Sequence, residues 1–141
     1  HGDTMVPLPR FTKVSGKSLL NVVKEGKISA EKLESINQRT RDGGAEIVAL
    51  LKTGSAFYAP SAAIVQMVEA ILLDKKQILP CAVLLDGEYG FNDVYAGVPV
   101  KLGAEGIEEV IEVDLNTEEQ NALSKSVDSV IELLEIMKTN S

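Results

Sequence analysis

The chain has 141 residues, 45% of them apolar and 25% charged, with a formal net charge of −7. That length and mixture fit a globular domain with a real core, while 14 Lys and Arg against 21 Asp and Glu exclude the clustered basic surface that nucleic-acid binding requires. A single Cys and a single His exclude an internal disulfide and a zinc cage built by one copy.

Residues 4–16, TMVPLPRFTKVSG, hold two prolines and a glycine. Proline removes a backbone donor and fixes φ, so this stretch is expected as an extended segment and loop rather than a helix. A brief helix over SLLNVV then ends at Gly26. From Ser29 a long helix is expected, with Ser29 as N-cap and Glu31 near the positive end of the dipole. Leu33, Ile36, Thr40, Gly43, Ile47 and Leu50 recur along it at helical spacing. Gly43 and Gly44 inside that pattern cost about 1 kcal/mol each relative to Ala. They imply either a kink or the close approach of another backbone or a ligand.

Gly54 and Pro60 interrupt the helical pattern in KTGSAFYAPSAA, which places Ser55 on a turn. A second helix is expected over 61–74, with Ile64, Met67, Val68, Ile71 and Leu72 on its apolar side. Three strands follow. ILPCAVLL is expected as a buried strand, with Pro80 marking an edge or bulge and Cys81 as a buried structural thiol. VYAGVPV is the second. VIEVDL is the third, its Ile111, Val113 and Leu115 alternating with Glu112 and Asp114. Short turns between them favour an antiparallel meander. Residues 117–138 form the last helix, with Thr117 and Gln120 in a capping-box pattern and Leu123, Val127, Val130, Leu134 and Met137 in one core stripe. The whole reads as a single α+β domain over residues 1–141. No run reaches about 18 apolar residues, so no transmembrane helix is expected. The N-terminus lacks the pattern of a signal peptide, and a reducing, cytoplasmic setting is the default expectation.

Phosphate-loop, dinucleotide-binding and nucleophile-elbow motifs are absent; GAEG at 103–106 reads as a turn between strands. What remains for chemistry is His1 with Gly2 and Asp3, and Ser55 in its turn. An imidazole titrates near neutral pH and suits proton transfer, but a lone terminal histidine equally fits a solvated chain end, and Ser55 equally fits a helix-turn cap.

HGDTMVPLPR resembles the segment around the catalytic histidine of NAD-dependent malate dehydrogenases of the bacterial, lactate-dehydrogenase-like type. RTRDGGAEIVALLKTGSAFYAPSAA is similar to that family's long broken helix, YGFNDVYAGVPVKLGAEGIEEVIEVDL to its closing antiparallel strands, and SKSVDSVIELL to its last helix. The resemblance runs through essentially all 141 residues. It implies the C-terminal, substrate-binding domain of the lactate/malate dehydrogenase fold, an antiparallel sheet packed against long helices, without the Rossmann-type nucleotide-binding half that precedes it in the family. It implies that His1 takes the hydroxyl proton when malate is oxidised to oxaloacetate by NAD, and returns it in the reverse direction. It further implies that Ser55 lies near substrate and nicotinamide, and that Ala59 and Pro60 line the path of the nicotinamide. Asp3 is either a supporting carboxylate or, more simply, a turn former.

In the family, the aspartate paired with the histidine and the arginines that clamp substrate carboxylates lie upstream. Arg10, Arg39 and Arg41 match none of the clamp positions. The resemblance also implies a homo-oligomer, a dimer or tetramer, and an isolated domain that binds NAD weakly or not at all. A lactate or other 2-hydroxyacid dehydrogenase is the alternative within the enzyme class. A non-catalytic binding or assembly module is the alternative outside it.

Overall fold

The computed structural model describes Gly2 and residues 4–139. Contacts group the chain into two compact units: one runs to Ser55 and includes Thr117–Leu123, and the other joins Ala56–Asn116 to the chain from Ser124 onward.

In the first unit the proline-containing segment is extended, as its composition dictates. It leads to a small hairpin, β1 (Lys13–Val14) antiparallel to β2 (Lys17–Ser18). Helix α1 (Leu19–Lys24) follows at once, its Leu19 and Val22 buried, and Gly26 takes the left-handed φ of 72° just past its end, a conformation that glycine adopts at no steric cost. Helix α2 (Ala30–Leu51) starts where Ser29 accepts a bond from the Lys32 amide at 3.2 Å and stops at Lys52, which is left-handed. It runs as one helix through Gly43 and Gly44, with no break. None of its 22 residues is buried.

The second unit holds α3 (Tyr58–Leu72) and a three-stranded antiparallel meander in the order β3 (Gln77–Asp86), β4 (Asn92–Gly103), β5 (Gly106–Val110). Cys81 pairs with Val98 and Leu85 with Val94, and all four side chains are buried on one face. Leu85 and Val100 have no exposed surface; burying a side chain of that size stabilises by about 2 kcal/mol. Helix α3 packs against β4 and buries Ala70 completely. Helix α4 (Thr117–Thr139) gives its first turns to the first unit and the rest to the second. Its apolar stripe is buried at Leu123 and Val127 and emerges at Met137, which is 65% exposed.

Three expectations need correction. Helix α3 begins at Tyr58, ahead of Pro60, rather than at 61, because a proline in the first turn forgoes only an amide that has no helical partner. Strand β3 is half-buried rather than buried. It is the edge of the sheet, which accommodates Pro80, and its alternate residues Ile78 and Leu84 are exposed. The third strand is β5, not VIEVDL. The alternation read in VIEVDL holds, since Ile111, Val113 and Leu115 are half-buried and Glu112 and Asp114 exposed. Only its start stays on the sheet, with Val110 paired to Val100 and the Ile111 amide donating to the Pro99 carbonyl at 2.8 Å. Beyond that the Tyr89 hydroxyl donates to the Ile111 carbonyl at 2.8 Å and accepts from the Val113 amide at 3.0 Å, while the Glu112 carboxylate accepts from the Tyr89 amide at 2.6 Å. Past the Ile111 amide, a side chain has taken the place of the ladder.

Candidate functional site

His1 and Asp3 lie outside the described residues, so the site is built from what adjoins them. Gly2 has φ +134°, and a Cβ added there would meet nothing within 4 Å. The position therefore demands glycine for its backbone angle and not for lack of space. Its amide donates to the Arg41 carbonyl on α2 at 2.9 Å, and its own carbonyl accepts from the Met5 amide at 3.0 Å. The Arg41 guanidinium reaches the same few residues, with Nε donating to the Met5 carbonyl at 3.2 Å. Its Nη1 donates to Gln38 at 3.3 Å and lies 3.5 Å from the Glu34 carboxylate. Of the two readings of the glycine pair, the kink is not seen, since α2 runs unbroken through it; the chain at Gly2 meets the helix at the Arg41 carbonyl, two residues before Gly43.

The far end of this segment is fixed by Arg10. Its guanidinium donates through Nε and Nη2 to both oxygens of Glu119, with Nη2 at 2.8 Å, and lies 5.1 Å from the centre of the Phe11 ring. Glu119, in the first turn of α4, is a buried charge. A forked pair is the arrangement that makes such burial tolerable. Arg39 pairs with Glu46 on the surface of α2 at 2.8 Å, and each holds the other in its charged form, the guanidinium pKa raised and the carboxyl lowered. All three arginines of the chain thus have protein partners. Their attachments to the segment that follows His1, seen at Arg10 and Arg41, escaped sequence reasoning, because they join residues far apart in the chain.

Ser55 is exposed and lies between the left-handed Lys52 and the start of α3. It caps neither helix: α2 closes through the Lys52 amide, and the N-cap of α3 is Phe57, which makes no side-chain capping bond. Its hydroxyl makes no hydrogen bond among the described residues. Ala59 and Pro60 are the second and third residues of α3 and both are exposed. Phe57 and Tyr58 beside them stack at 4.7 Å and are 56% and 83% exposed. Cys81 is buried, and burial pushes its thiol pKa up, so it is unsuited to act as a nucleophile.

Residues 1–140 match the lactate/malate dehydrogenase alpha/beta C-terminal domain, and the chain belongs to that family. It is 64% identical over 135 residues, 96% of its length, to a malate dehydrogenase of Pelagibacter ubique (strain HTCC1062), of which it spans 42%. Its fold superposes on a crystal structure of Cryptosporidium parvum malate dehydrogenase with a TM-score of 0.95 and 45% identity, covering 99% of this chain and 44% of that one. The Salinibacter ruber malate dehydrogenase gives 0.90 and 52%, with 99% and 44% covered. A lactate dehydrogenase from Eimeria maxima, solved with NADH and oxamate, gives 0.94 and 38%, with 98% and 43% covered. The chain therefore spans less than half the length of these relatives.

Proposed function

We propose that this domain is the substrate-binding half of an enzyme that interconverts malate and oxaloacetate with NAD, and that His1 is its proton carrier. The observation that carries the reading is the family match over residues 1–140, together with 64% identity to a malate dehydrogenase. When bound, NAD supplies the hydride acceptor. The chain's own part is proton transfer and placement. His1 accepts the hydroxyl proton of malate as the alcohol becomes a ketone, and in reverse the imidazolium gives it to the ketone oxygen of oxaloacetate. The Ser55 hydroxyl donates to substrate or holds a water near it. Ala59 and Pro60 present a small apolar surface to the nicotinamide and keep water from the hydride path. The aspartate that orients the imidazole and the arginines that grip the carboxylates come from a nucleotide-binding half.

The working enzyme is a homo-oligomer, a dimer or tetramer, and cytoplasmic. The exposed apolar residues of α2 support association, and no helix among the described residues is long and apolar enough to cross a membrane. A lactate dehydrogenase is the second reading, supported by the Eimeria maxima neighbour, though at lower identity than either malate dehydrogenase. Formation of NADH from malate and from lactate, measured on this domain joined to its nucleotide-binding half and on the 141 residues alone, tests the reading. Turnover of malate in preference to lactate by the joined protein, and none by the domain alone, is expected. Preference for lactate, or appreciable turnover by the isolated domain, would overturn it.

A further inference from the structure

We propose that Arg41 is a positioning residue for His1, an inference that rests on the proton-carrier reading above. A general base acts only when held within hydrogen-bond reach of its proton, and His1 is covalently joined to Gly2. Gly2 is fixed by the Arg41 carbonyl at 2.9 Å, and Met5, bonded to Gly2 in turn, is fixed by Arg41 Nε at 3.2 Å. One residue thus grips both ends of the short segment that leads away from the imidazole. Its carbonyl can do so because a carbonyl oxygen has two lone pairs. Its side chain is itself held in place. Gln38 and Glu34 engage the outer nitrogen, and it is 26% exposed where that of Arg39, on the same helix, is 77% exposed. Arg39 spends its guanidinium on Glu46 and serves as the internal control.

The test compares Arg41→Met, Arg41→Lys and Arg39→Met in the full-length enzyme, reading kcat and KM for malate together with amide hydrogen exchange over residues 2–12. Loss of the Nε donor loosens the base without touching the groups that bind substrate. Arg41→Met is therefore expected to lower kcat about tenfold while KM stays within about twofold, the split produced by misplacing a reacting group. The amides of Gly2 and Met5 exchange faster in this variant. Arg41→Lys, which keeps a cationic donor, recovers most of the loss, and Arg39→Met behaves as the parent. If Arg41→Met does not fold, Arg41→Gln, which lacks the same donor, takes its place. A parent-like kcat in the Arg41 variants, or an equal fall in Arg39→Met, overturns the inference and leaves the enzyme reading intact. A parent that does not oxidise malate with NAD overturns the enzyme reading, and this inference with it.

Discussion

The β-meander and helix α2 are built on opposite principles. The meander covers itself: Leu85, Val94, Val98, Val100 and Leu102 are each at most 3% exposed, and α3 packs on β4. Helix α2 is longer than any strand, yet it buries nothing, and Ile36, Ile47, Val48, Leu50 and Leu51 are 40–75% exposed. A shallow groove of about 380 Å³ on its surface, between Ile36, Gly43 and Ile47, is walled by the helix alone. The Ser29 cap and the Arg39–Glu46 pair act within α2 itself, and the bonds from Arg41 to Gly2 and Met5 tie it to the start of the chain. The sheet owes its stability to burial. The helix owes its form to end capping and a few polar contacts, each worth about 1 kcal/mol or less.

Truncations should separate the two regimes most sharply. Leu85→Ala empties a fully buried site and is expected to cost about 3 kcal/mol, whereas Leu50→Ala, at a position 75% exposed, should cost less than about 0.5 kcal/mol. Urea unfolding of both variants checks this; equal losses would erase the contrast. Between these extremes lies the Arg10–Glu119 pair. Arg10→Met removes the forked partner of a carboxylate that is 10% exposed, whereas Arg10 itself is 37% exposed and partly hydrated. The expected loss is about 2 kcal/mol, discounted for that solvent screening. Glu119→Gln, which leaves no buried charge behind, should cost less.

Tyr89→Phe removes the two hydroxyl bonds that stand in for a strand ladder at Ile111 and Val113, at a cost of about 1–2 kcal/mol. It should also change the response to alkali. Burial raises the Tyr89 hydroxyl above its ordinary 10.0, so the unfolded chain ionises first. The contribution is complete below the unfolded value and is lost as pH rises through it toward the folded one. The alkaline fall of Tm should therefore be shallower in Tyr89→Phe than in the parent.

Much of this was legible in the sequence because local signals and tertiary packing agree. Ser29 caps α2 as its side chain requires, the short turns make a meander, and Cys81 is buried in an apolar run. Where packing overrode local pattern, the reading slipped. VIEVDL has the period of a strand, but beyond the Ile111 amide a tyrosine some 22 residues away takes the Ile111 carbonyl and the Val113 amide, and no pattern within the segment records that. ILPCAVLL is apolar throughout, but one face of the sheet is uncovered and exposes every second residue, in β3 as in the central β4, and which face is covered is decided by topology and not by composition. At the site, Ser55 was placed on its turn from Gly54 and Pro60 alone. The grip of Arg41 on the residues after His1 joins positions 36 apart, and no local pattern marks it.

The enzyme reading depends on His1 being the group that moves the proton. The most direct measurement is malate-dependent NADH formation by the full-length enzyme carrying His1→Asn, beside its parent and with folding checked by thermal melting. Asn keeps the polarity of the position but cannot take up the proton, so kcat should fall by about a hundredfold or more. A folded His1→Asn enzyme that turns over malate at the parent rate would contradict that role.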